Sequence, residues 1–365
     1  MPEPRRFWAP GRVNLIGEHT DHTDGLVLPA AIDLGITLTA ELGGTQIRLR
    51  STAKAGELAL PADGRAMPAS GWGRFVAAVA AELADAGRAP VGMSGELSSN
   101  LPRGAGLASS AALEVVVALG LLAAAGREME PMALAALCRR AEHRATGVPT
   151  GIMDQAASLL GHAGSAILLD CGSLVHHAVP LPADRALVVL DSGIRRRLSS
   201  SAYAERTREL AAALPALDGR RPADVDPTEL PGLLERLDTI PGRRLRHVVT
   251  ENERVRATER ALRHGDIAAV GELFAASHAS LRDDFEVSIP EIDLLVELAR
   301  DAGADAARMT GGGFGGAVIA IVPEAQARAV AARVVERYGR RVRGHGAAAH
   351  RCRAGDGARE LATPP

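Results

Sequence analysis

The chain has 365 residues, of which 47% are hydrophobic and only 2% aromatic, and its formal net charge is -2. This length is enough for two domains, and the near-neutral charge gives no electrostatic basis for binding nucleic acid or an anionic membrane. The N-terminal segment holds no signal-peptide core, and no uncharged apolar stretch has membrane-spanning length. Three widely separated cysteines without a CxxC pair predict a cytoplasmic protein with reduced thiols.

Lysine usage narrows the possible chemistry further. Lys54 is the only lysine, and it lies in STAKAG, which is not a P-loop. The HRD and DFG elements of protein kinases are absent, and a lysine Schiff base is disfavoured. Any phosphate chemistry in this chain must therefore rely on arginine, backbone amides and a metal ion.

In chain order, the residue pattern predicts short strands between residues 11 and 50, a helix over 73–87 and a strand at VGMSGELSS. Helices are predicted after the loop NLPRGAGLASS, through PMALAALCRRAEHRATG and from GIMDQ onward. Strands follow at SAILLDC, VHHAVPL and ALVVLDS, and beyond about residue 205 the pattern is mostly helical. A strand pair at ARMTGGGFGGAVIAIV and a last helix over about 324–338 complete an α+β protein. We predict two domains, residues 1–185 and 186–365.

The segment PGRVNLIGEHTDHTDG places acidic and imidazole side chains directly after an apolar strand predicted over residues 13–16. Three interpretations are open. The segment is a solvated loop, or it binds zinc through His19 and His22 with Asp21 or Asp24, or its side chains accept hydrogen bonds from a polyol. The His-x-x-His spacing alone is weak evidence for a metal, because no third ligand cluster stands out in the sequence.

The segment GAGLASS precedes a strongly apolar helix. Its glycines let successive backbone amides point at one spot, and the positive end of the helix adds to them, which favours a phosphate site. Ser109 and Ser110 have three possible roles: capping the helix, donating to a phosphate oxygen, or binding magnesium. The alternative is a plain glycine turn capped by serine.

A second glycine-rich segment, MTGGGFGGA, is costly to order. It predicts either a flexible hairpin tip or a place where another backbone or a ligand comes very close. The strand-like sequence that follows argues against simple disorder.

Two acidic residues lie close together in AEHRATGVPTGIMDQ. Glu142 belongs to a predicted helix, and Asp154 follows a turn and has apolar neighbours. Asp154 is either a helix N-cap or a carboxylate aimed into a cleft, where it accepts a proton from a substrate hydroxyl or orients that hydroxyl. Together, these segments fit one reaction, the ATP-dependent phosphorylation of a polyhydroxylated small molecule.

The segments PGRVNLIGEHTD, LPRGAGLASSAALE, GIMDQ and MTGGGFGG resemble the signature segments of the galactokinases, a family within the GHMP small-molecule kinases. The resemblance extends, in the family's order, to LDSGIRRRLSSSAYAERTREL, RHVVTENERV and SHASLRDDFEVSIPEIDLLVELA, and so covers residues from about 7 to 350. It implies a domain like the second domain of ribosomal protein S5, a ferredoxin-like C-terminal domain, and an active site between them. It also implies phosphorylation of D-galactose at the C1 hydroxyl, the first committed step of galactose catabolism.

The resemblance implies a role for each matching position. Arg12 matches the arginine that stabilises the transferring phosphoryl group and keeps the catalytic aspartate ionised, and Asp154 matches that aspartate. The positions that match sugar contacts are Glu18, His19, Asp21, Gly151 and Tyr203. The positions that match the ATP phosphate loops are Gly104, Ala105, Gly106, Leu107, Ala108, Ser109, Ser110, Gly312 and Gly313. The magnesium ligands match Ser110 and Glu142, and the expected partners are D-galactose and Mg-ATP, with a monomer as the expected state.

The sequence departs from the family's pattern at a few positions. His22 and Thr23 stand where the family usually has Tyr and Asn, beside the sugar positions. Ala108 replaces a serine, Asp191 an asparagine, and Ala317 a cysteine. None of these departures removes an implied catalytic group. Because positions 22 and 23 lie beside the sugar positions, the changes there bear on the specificity for galactose and on the affinity for it.

Three rival functions remain distinguishable. A related GHMP kinase would phosphorylate another sugar, such as N-acetylgalactosamine or arabinose. A sugar and ATP sensor without turnover would have lost part of GAGLASS, the glycine-serine loop, which is complete here. A zinc hydrolase that uses His19 and His22 would need no ATP and would be inhibited by chelators.

Overall fold

The computed structural model describes residues 3–68, 70–102, 104–148, 150–194 and 199–362. Arg103, Pro149 and residues 195–198, which belong to three of the segments quoted above, lie outside this description, as does the side chain of Lys54. No helix in the described part of the chain is long and apolar enough to cross a membrane. Cys138, Cys171 and Cys352 are all buried thiols without a disulfide.

Strands predominate over residues 5–61, and helices predominate over residues 199–301. The strands are β1 (Arg5–Asn14), β2 (Leu26–Val27), β3 (Pro29–Leu42), β4 (Gln46–Ser51), β5 (Lys54–Pro61), β6 (Met93–Ser99), β7 (Ser165–Asp170), β8 (His176–Pro180), β9 (Arg185–Asp191), β10 (Ala306–Thr310), β11 (Ala317–Pro323), β12 (Ala348–Cys352) and β13 (Arg359–Leu361). The helices are α1 (Gly73–Asp85), α2 (Ser109–Ala124), α3 (Pro131–Thr146), α4 (Met153–Leu160), α5 (Ser199–Ala211), α6 (Leu230–Leu234), α7 (Thr239–His264), α8 (Ile267–Asp283), α9 (Pro290–Asp301) and α10 (Ala327–Arg341).

The strands form sheets of six, four and three. The six-stranded sheet has the order β13-β1-β3-β6-β4-β5, with only the β4–β6 pair parallel. The four-stranded sheet has the order β10-β11-β9-β12, and the three-stranded sheet has the order β2-β7-β8, both antiparallel. The predicted strand pair around the second glycine-rich segment is β10 and β11, whereas β12 and β13 follow the helix that we expected to be the last element.

Local sequence explains why the central helices form where they do. Eleven of the sixteen residues of α2 are buried, which is the pattern of a helix surrounded by the core on all sides. Helix α3 begins with Pro131 at its first turn, and the Glu130 carboxylate accepts a hydrogen bond from the Ala133 amide at 2.8 Å. It ends at Gly147, whose φ of 74° only glycine adopts without strain.

The four-stranded sheet lies between the two large hydrophobic clusters. Along β9, Leu187 and Val189 belong to the cluster that fills the space under the six-stranded sheet, whereas Ala186, Val188 and Leu190 belong to the second cluster. Alternation with period two therefore buries both faces, which explains the continuous apolar run ALVVL. The α+β class is confirmed, and the domain division near residue 185 stays a prediction.

Candidate active site

Arg12 connects the segment PGRVNLIGEHTDHTDG (residues 10–25), called the first motif below, with the glycine-serine loop GAGLASS and with GIMDQ. It lies near the end of β1, which starts earlier and ends earlier than the predicted strand over residues 13–16. Its Nε and Nη2 donate to the two carboxylate oxygens of Asp154 at 2.8 and 2.9 Å, and its Nη1 donates to the Gly106 carbonyl at 2.7 Å. Its backbone amide donates to the Leu107 carbonyl at 3.2 Å. One buried guanidinium thus fixes the glycine-serine loop against the carboxylate of α4.

Asp154 is the second residue of α4, and the N-cap position belongs to Ile152 without a side-chain cap. Its carboxylate therefore does not cap the helix, which removes the first of the two interpretations offered by the sequence. The side chain is 26% exposed, and it contributes to a cleft wall. The bidentate pair with Arg12 sets the plane of the carboxylate and leaves a lone pair on each oxygen for a ligand.

The cleft beside Asp154 has a volume of about 250 Å³, which is the size for a small molecule rather than a polymer. Its walls come from the first motif, α3, α4, α5 and the second glycine-rich segment. They are lined by Arg12, Glu18, His19, Asp21, Glu142, Val148, Thr150, Gly151, Met153, Asp154, Tyr203, Gly311 and Gly312. All the expected catalytic and sugar-contact residues are thus brought together in one place.

Asp21 and Gly151 are in direct contact across the cleft wall. A Cβ atom built on Gly151 would lie 2.0 Å from Asp21 Oδ2, so the position accepts only glycine while Asp21 keeps its place. The contact explains why the turn before α4 carries glycine, because a backbone without a side chain lets the carboxylate approach closely.

His19 occupies a strained position in an aromatic cluster. Its φ of 63° is rare for a residue with a side chain. Its ring stacks on Phe285 at a centroid distance of 4.5 Å and lies 5.6 Å from Tyr203. His22 packs edge-on against His19 and Tyr203 at 6.2 and 6.1 Å, and its Nδ1 lies 3.5 Å from Asp21 Oδ1. The strained backbone places the His19 ring beside Tyr203, and both residues line the cleft.

Glu18 is buried and is held by residues of β10 and of the second glycine-rich segment. Arg308 of β10 forms an ion pair with its carboxylate, and the Gly311 amide donates to its Oε1 at 3.0 Å. Burial raises the pKa of Glu18, and the Arg308 charge acts in the opposite direction. The first motif is therefore tied directly to the strand that carries the second glycine-rich segment. The role of Glu18 as a sugar contact stays a prediction.

Helix α7 supports the whole first motif from behind, and the residue pattern alone did not reveal this. His247 Nε2 lies 3.1 Å from the Glu18 carbonyl, Glu251 accepts from the Gly17 amide at 3.0 Å, and Asn252 accepts from the Leu26 amide at 2.7 Å. Burial lowers the pKa of His247 to about 4. Burial is the largest single effect on the pKa of Glu251 and raises it. The charges of Arg254 and Arg308 act in the opposite direction, and the resulting pKa is about 2. The only sequence feature that could have indicated this support was a set of polar residues on one face of a helix.

The glycine-serine loop leads into α2 without a side-chain cap. The N-cap is Ala108, with a left-handed φ of 56°, and the helix starts at Ser109. Of the alternatives for the serines, capping is therefore not observed. The amides of the first turn have no partner within the helix, as at every helix N-terminus, and so this end favours an anion. Ser110 instead donates its hydroxyl to Glu142 Oε1 at 2.9 Å.

The Ser110–Glu142 pair fits a magnesium ion. Both side chains offer oxygen atoms as metal ligands. Glu142 faces the cleft, and its Oε2 accepts hydrogen bonds from Thr150 and Gln155 at 3.1 and 3.0 Å. Burial, and then the Asp154 charge, raises the pKa of Glu142. Within the described ranges, no group of three or more His, Cys, Asp or Glu side chains is arranged to hold a metal. Magnesium suits such a sparse set, because it usually combines one or two carboxylates with phosphates and water.

The second glycine-rich segment packs closely against two other stretches of backbone. Cβ atoms on Gly313 and Gly315 would lie 2.5 Å from the Val287 carbonyl and 2.8 Å from the Ile194 carbonyl. The Phe314 amide donates to Val287 at 2.7 Å. The segment is thus an ordered loop whose glycines permit close approach. Gly312 lines the cleft, whereas Gly313 faces the backbone at Val287.

A second pocket, beside the six-stranded sheet, was not anticipated. It has a volume of about 460 Å³, and Gly104 and Ser109 of the glycine-serine loop form part of its wall. Its remaining wall residues are Ile36, Ser51, Thr52, Ala53, Trp72, Leu97, Ser98, Ser99, Leu101, Pro102 and Leu113. A pocket that combines an indole ring, aliphatic side chains and several hydroxyl groups beside a predicted phosphate loop suits the base of a nucleotide. The sequence signal was Trp72, one of only two tryptophans.

Comparison with protein families agrees with this geometry. The chain matches the GHMP kinases N terminal domain over residues 74–162 and the GHMP kinases C terminal domain over residues 258–340. Residues 2–41, which include the whole first motif, match the galactokinase galactose-binding signature.

Individual proteins resemble the chain over nearly its full length. Galactokinase from Roseiflexus sp. (strain RS-1) is 41% identical over 361 residues, covering 96% of this chain and 91% of that protein. The crystal structure of Lactococcus lactis galactokinase complexed with galactose superimposes with a TM-score of 0.94 at 34% identity, covering 99% and 96% of the two chains. Methanococcus jannaschii mevalonate kinase, with a TM-score of 0.71 at 17% identity and coverage of 97% and 99%, shares the fold.

Proposed function

We propose how this chain, which belongs to the galactokinase family of the GHMP kinases, phosphorylates galactose with ATP. The observation that carries the proposal is the bidentate pair of Arg12 and Asp154. It lies where the polar cleft meets the glycine-serine loop, which is the place where a sugar hydroxyl and a γ-phosphoryl group would have to meet. Positioning is the main requirement of phosphoryl transfer, which needs little covalent help from the protein.

The charge of the cleft selects a neutral polyol. Among the described residues, its walls carry the carboxylates of Glu18, Asp21, Glu142 and Asp154 and the guanidinium of Arg12. Carboxylates accept hydrogen bonds from hydroxyl groups but repel an anionic substrate at short range. Asp21 and His19 therefore bind sugar hydroxyls in our proposal, and Tyr203 and Gly151 complete the wall.

Asp154 acts on the hydroxyl at C1 of the sugar. Two of its lone pairs are occupied by Arg12, and the remaining pair on the exposed oxygen accepts the C1 hydroxyl and directs its oxygen at phosphorus. The new bond joins the sugar oxygen to the γ-phosphorus, the bond from that phosphorus to the β,γ-bridging oxygen breaks, and ADP leaves. The hydroxyl proton passes to Asp154 as the new bond forms.

Arg12 and the loop bind the phosphates. The amides at the start of α2 and the Arg12 guanidinium supply positive potential on the side of Asp154 where the γ-phosphate arrives. Ser110 and Glu142 would hold Mg²⁺, which when bound neutralises charge on the phosphate oxygens. Gly312 of the second glycine-rich segment closes the opposite wall.

The nucleotide base occupies the pocket that contains Trp72. This pocket shares Gly104 and Ser109 with the phosphate loop, so a nucleotide whose phosphates lie at the loop reaches it directly. The indole ring provides a stacking surface that accepts any base, and Ser51, Thr52 and Ser98 provide hydrogen-bonding groups at its edge.

The experiment that tests this function is a sugar panel. The protein is incubated with Mg-ATP and galactose, N-acetylgalactosamine, arabinose or glucose, and ADP release and the phosphorus NMR spectrum of the product are recorded. We expect rapid ADP release and an anomeric phosphate with galactose. Turnover with another sugar but not with galactose would identify a related GHMP kinase, and would point to His22 and Thr23. Monomeric state and cytoplasmic location stay predictions.

A further inference from the structure

Gln155 follows the catalytic Asp154 in α4, yet its side chain is fully buried. Its Nε2 donates one hydrogen bond to Glu142 Oε2 and another to Glu114 Oε2, both at 3.0 Å. Both amide hydrogens are therefore used on carboxylates. A single amide group connects α4 with α3, which carries Glu142, and with α2, which carries Ser110.

Glu114 has no place in the proposed reaction. It lies one helical turn after Ser110 on the same face of α2, is fully buried, and is absent from the walls of both pockets. Burying a carboxyl group is costly unless it is well paired. Burial, and then the Glu142 charge, raises the pKa of Glu114 well above its usual range, and the hydrogen bond from Gln155 opposes this. Such a costly group calls for an explanation.

Glu142 receives three hydrogen bonds, and they differ in rigidity. The Ser110 hydroxyl donates to Oε1 at 2.9 Å, and the Thr150 hydroxyl donates to Oε2 at 3.1 Å. Both hydroxyls can rotate, whereas the Gln155 amide is planar and is held at its other hydrogen by Glu114. The orientation of the Glu142 carboxylate therefore depends most on the amide.

We propose that Gln155 and Glu114 are positioning residues for the metal site: Glu114 fixes the Gln155 amide, and that amide fixes the Glu142 carboxylate in the orientation that receives Mg²⁺. Groups that orient a ligand from behind change metal affinity by about 10- to 100-fold when they are removed. This inference rests on the proposed function, because Glu142 is a metal ligand only there.

The test measures Mn²⁺ binding without turnover. Electron paramagnetic resonance of free Mn²⁺ gives the Kd of the ion for the protein in the presence of a non-hydrolysable ATP analogue. We expect Gln155→Met and Glu114→Met each to weaken binding by about 10-fold or more. The double variant should bind no more weakly than Gln155→Met alone, because the two residues act in series. Glu114→Gln keeps an acceptor for the amide and should stay within about threefold of the wild type.

Ser158→Ala supplies the matched control. Ser158 is also buried in α4, and its hydroxyl donates to the Pro10 carbonyl at 2.8 Å, away from the metal site. This variant loses a buried hydrogen bond of the same helix and should bind Mn²⁺ like the wild type. The KM for galactose should remain within about threefold in every variant, because the sugar wall keeps its contacts.

Two results would overturn the inference. One is wild-type Mn²⁺ affinity in Gln155→Met, and the other is equal weakening in Ser158→Ala, which would indicate general loosening of α4. If Glu114→Met does not fold, Gln155→Met and Glu114→Gln decide the matter by the same criteria. A failure of the proposed function is separate, since it would appear as wild-type protein that binds Mn²⁺ and nucleotide but releases no ADP with galactose.

Discussion

Asp21 presses against Gly151 so closely that a Cβ at position 151 would lie 2.0 Å from its Oδ2 and 2.3 Å from its Cγ. We therefore expect Gly151→Ala to displace the Asp21 carboxylate from the sugar wall. Loss of a hydrogen bond to a charged group costs about 1.5–3 kcal/mol, which is roughly 10- to 100-fold in the KM for galactose. Steady-state kinetics with varied galactose at saturating Mg-ATP measures this.

Gly339→Ala is the control for that substitution. Gly339 lies in α10, and no described atom comes within 4 Å of where its Cβ would be. Alanine there should leave the KM unchanged and raise the unfolding free energy by about 0.5–1 kcal/mol. Equal KM values for the two variants would show that the Asp21 contact does not shape the sugar site.

The buried ion cluster behind the cleft predicts a large stability effect. Arg308 is fully buried between the carboxylates of Glu18 and Glu251, and its Nη1 also donates to the Leu15 carbonyl at 2.9 Å. Arg308→Met leaves two buried carboxylates without their shared cation and should cost about 3–5 kcal/mol of unfolding free energy. Urea denaturation at pH 7 measures this.

A surface pair provides the comparison for the buried cluster. Arg351 pairs with Glu324, and both side chains are about two-fifths exposed, at 41% and 40%. Arg351→Met should cost about 1 kcal/mol or less, because solvent screens exposed pairs. If Arg308→Met is no more destabilising than Arg351→Met, the cluster does not hold the first motif in place.

His247 predicts a defined dependence of stability on pH. Burial depresses its pKa from 6.5 to about 4, so the folded state stays unprotonated while the unfolded state takes up a proton. The contribution of His247 to the unfolding free energy is therefore fully present above pH 6.5. It decreases by about 3 kcal/mol as the pH falls from 6.5 to 4. The contribution of Glu251 to the unfolding free energy is lost at lower pH, between 4.5 and about 2, because folding lowers its pKa from 4.5 to about 2.

The variant His247→Gln isolates this contribution. Its unfolding free energy, measured by urea titration at a series of pH values, should fall less steeply than that of the wild type between pH 6.5 and 4. The difference between the two proteins should change by about 3 kcal/mol across that range. Parallel curves would mean that His247 titrates equally in the folded and unfolded states.

The pocket beside the glycine-serine loop predicts a selective loss of nucleotide affinity. Trp72→Ala removes the stacking surface, and stacking on an aromatic ring contributes about 1–3 kcal/mol per base, so the KM for ATP should rise by roughly 5- to 100-fold. The KM for galactose should stay nearly constant. Trp8→Ala is the control, because Trp8 belongs to β1 and its ring packs against the Arg359 guanidinium, outside both pockets. An unchanged KM for ATP in Trp72→Ala would place the base elsewhere.

The sequence was sufficient where the relevant interactions are local. Glycines, a helix-starting proline and apolar periodicity predicted α1 to α4 and the strand pair of β10 and β11. Polar residues of the first motif also lie close together in the chain, and the structure brings Glu18, His19 and Asp21 to one cleft with Asp154 and Tyr203. Assigning them to galactose, however, depended on the family resemblance.

The interactions that the sequence did not predict are long-range. Glu251 accepts from Gly17 across 234 residues of chain, and Arg308 donates to Leu15 across 293. No periodicity within α7 or β10 encodes which loop they contact. The strands β12 and β13 were missed for a related reason, because short edge strands are defined by their partners β9 and β1 rather than by their own pattern.

The central claim is that the pair of Arg12 and Asp154 performs the transfer, and Asp154→Asn tests it most directly. Asparagine keeps the size of the side chain but cannot accept the proton of the C1 hydroxyl. Asp184→Asn, a change at a side chain that is 75% exposed, is the control. The measurement is kcat with saturating galactose and Mg-ATP, together with the Kd for galactose from calorimetry. We expect kcat to fall by about 10²- to 10⁴-fold in Asp154→Asn, with the Kd for galactose within about threefold of the wild type. A kcat within about threefold of the Asp184→Asn control would contradict the account.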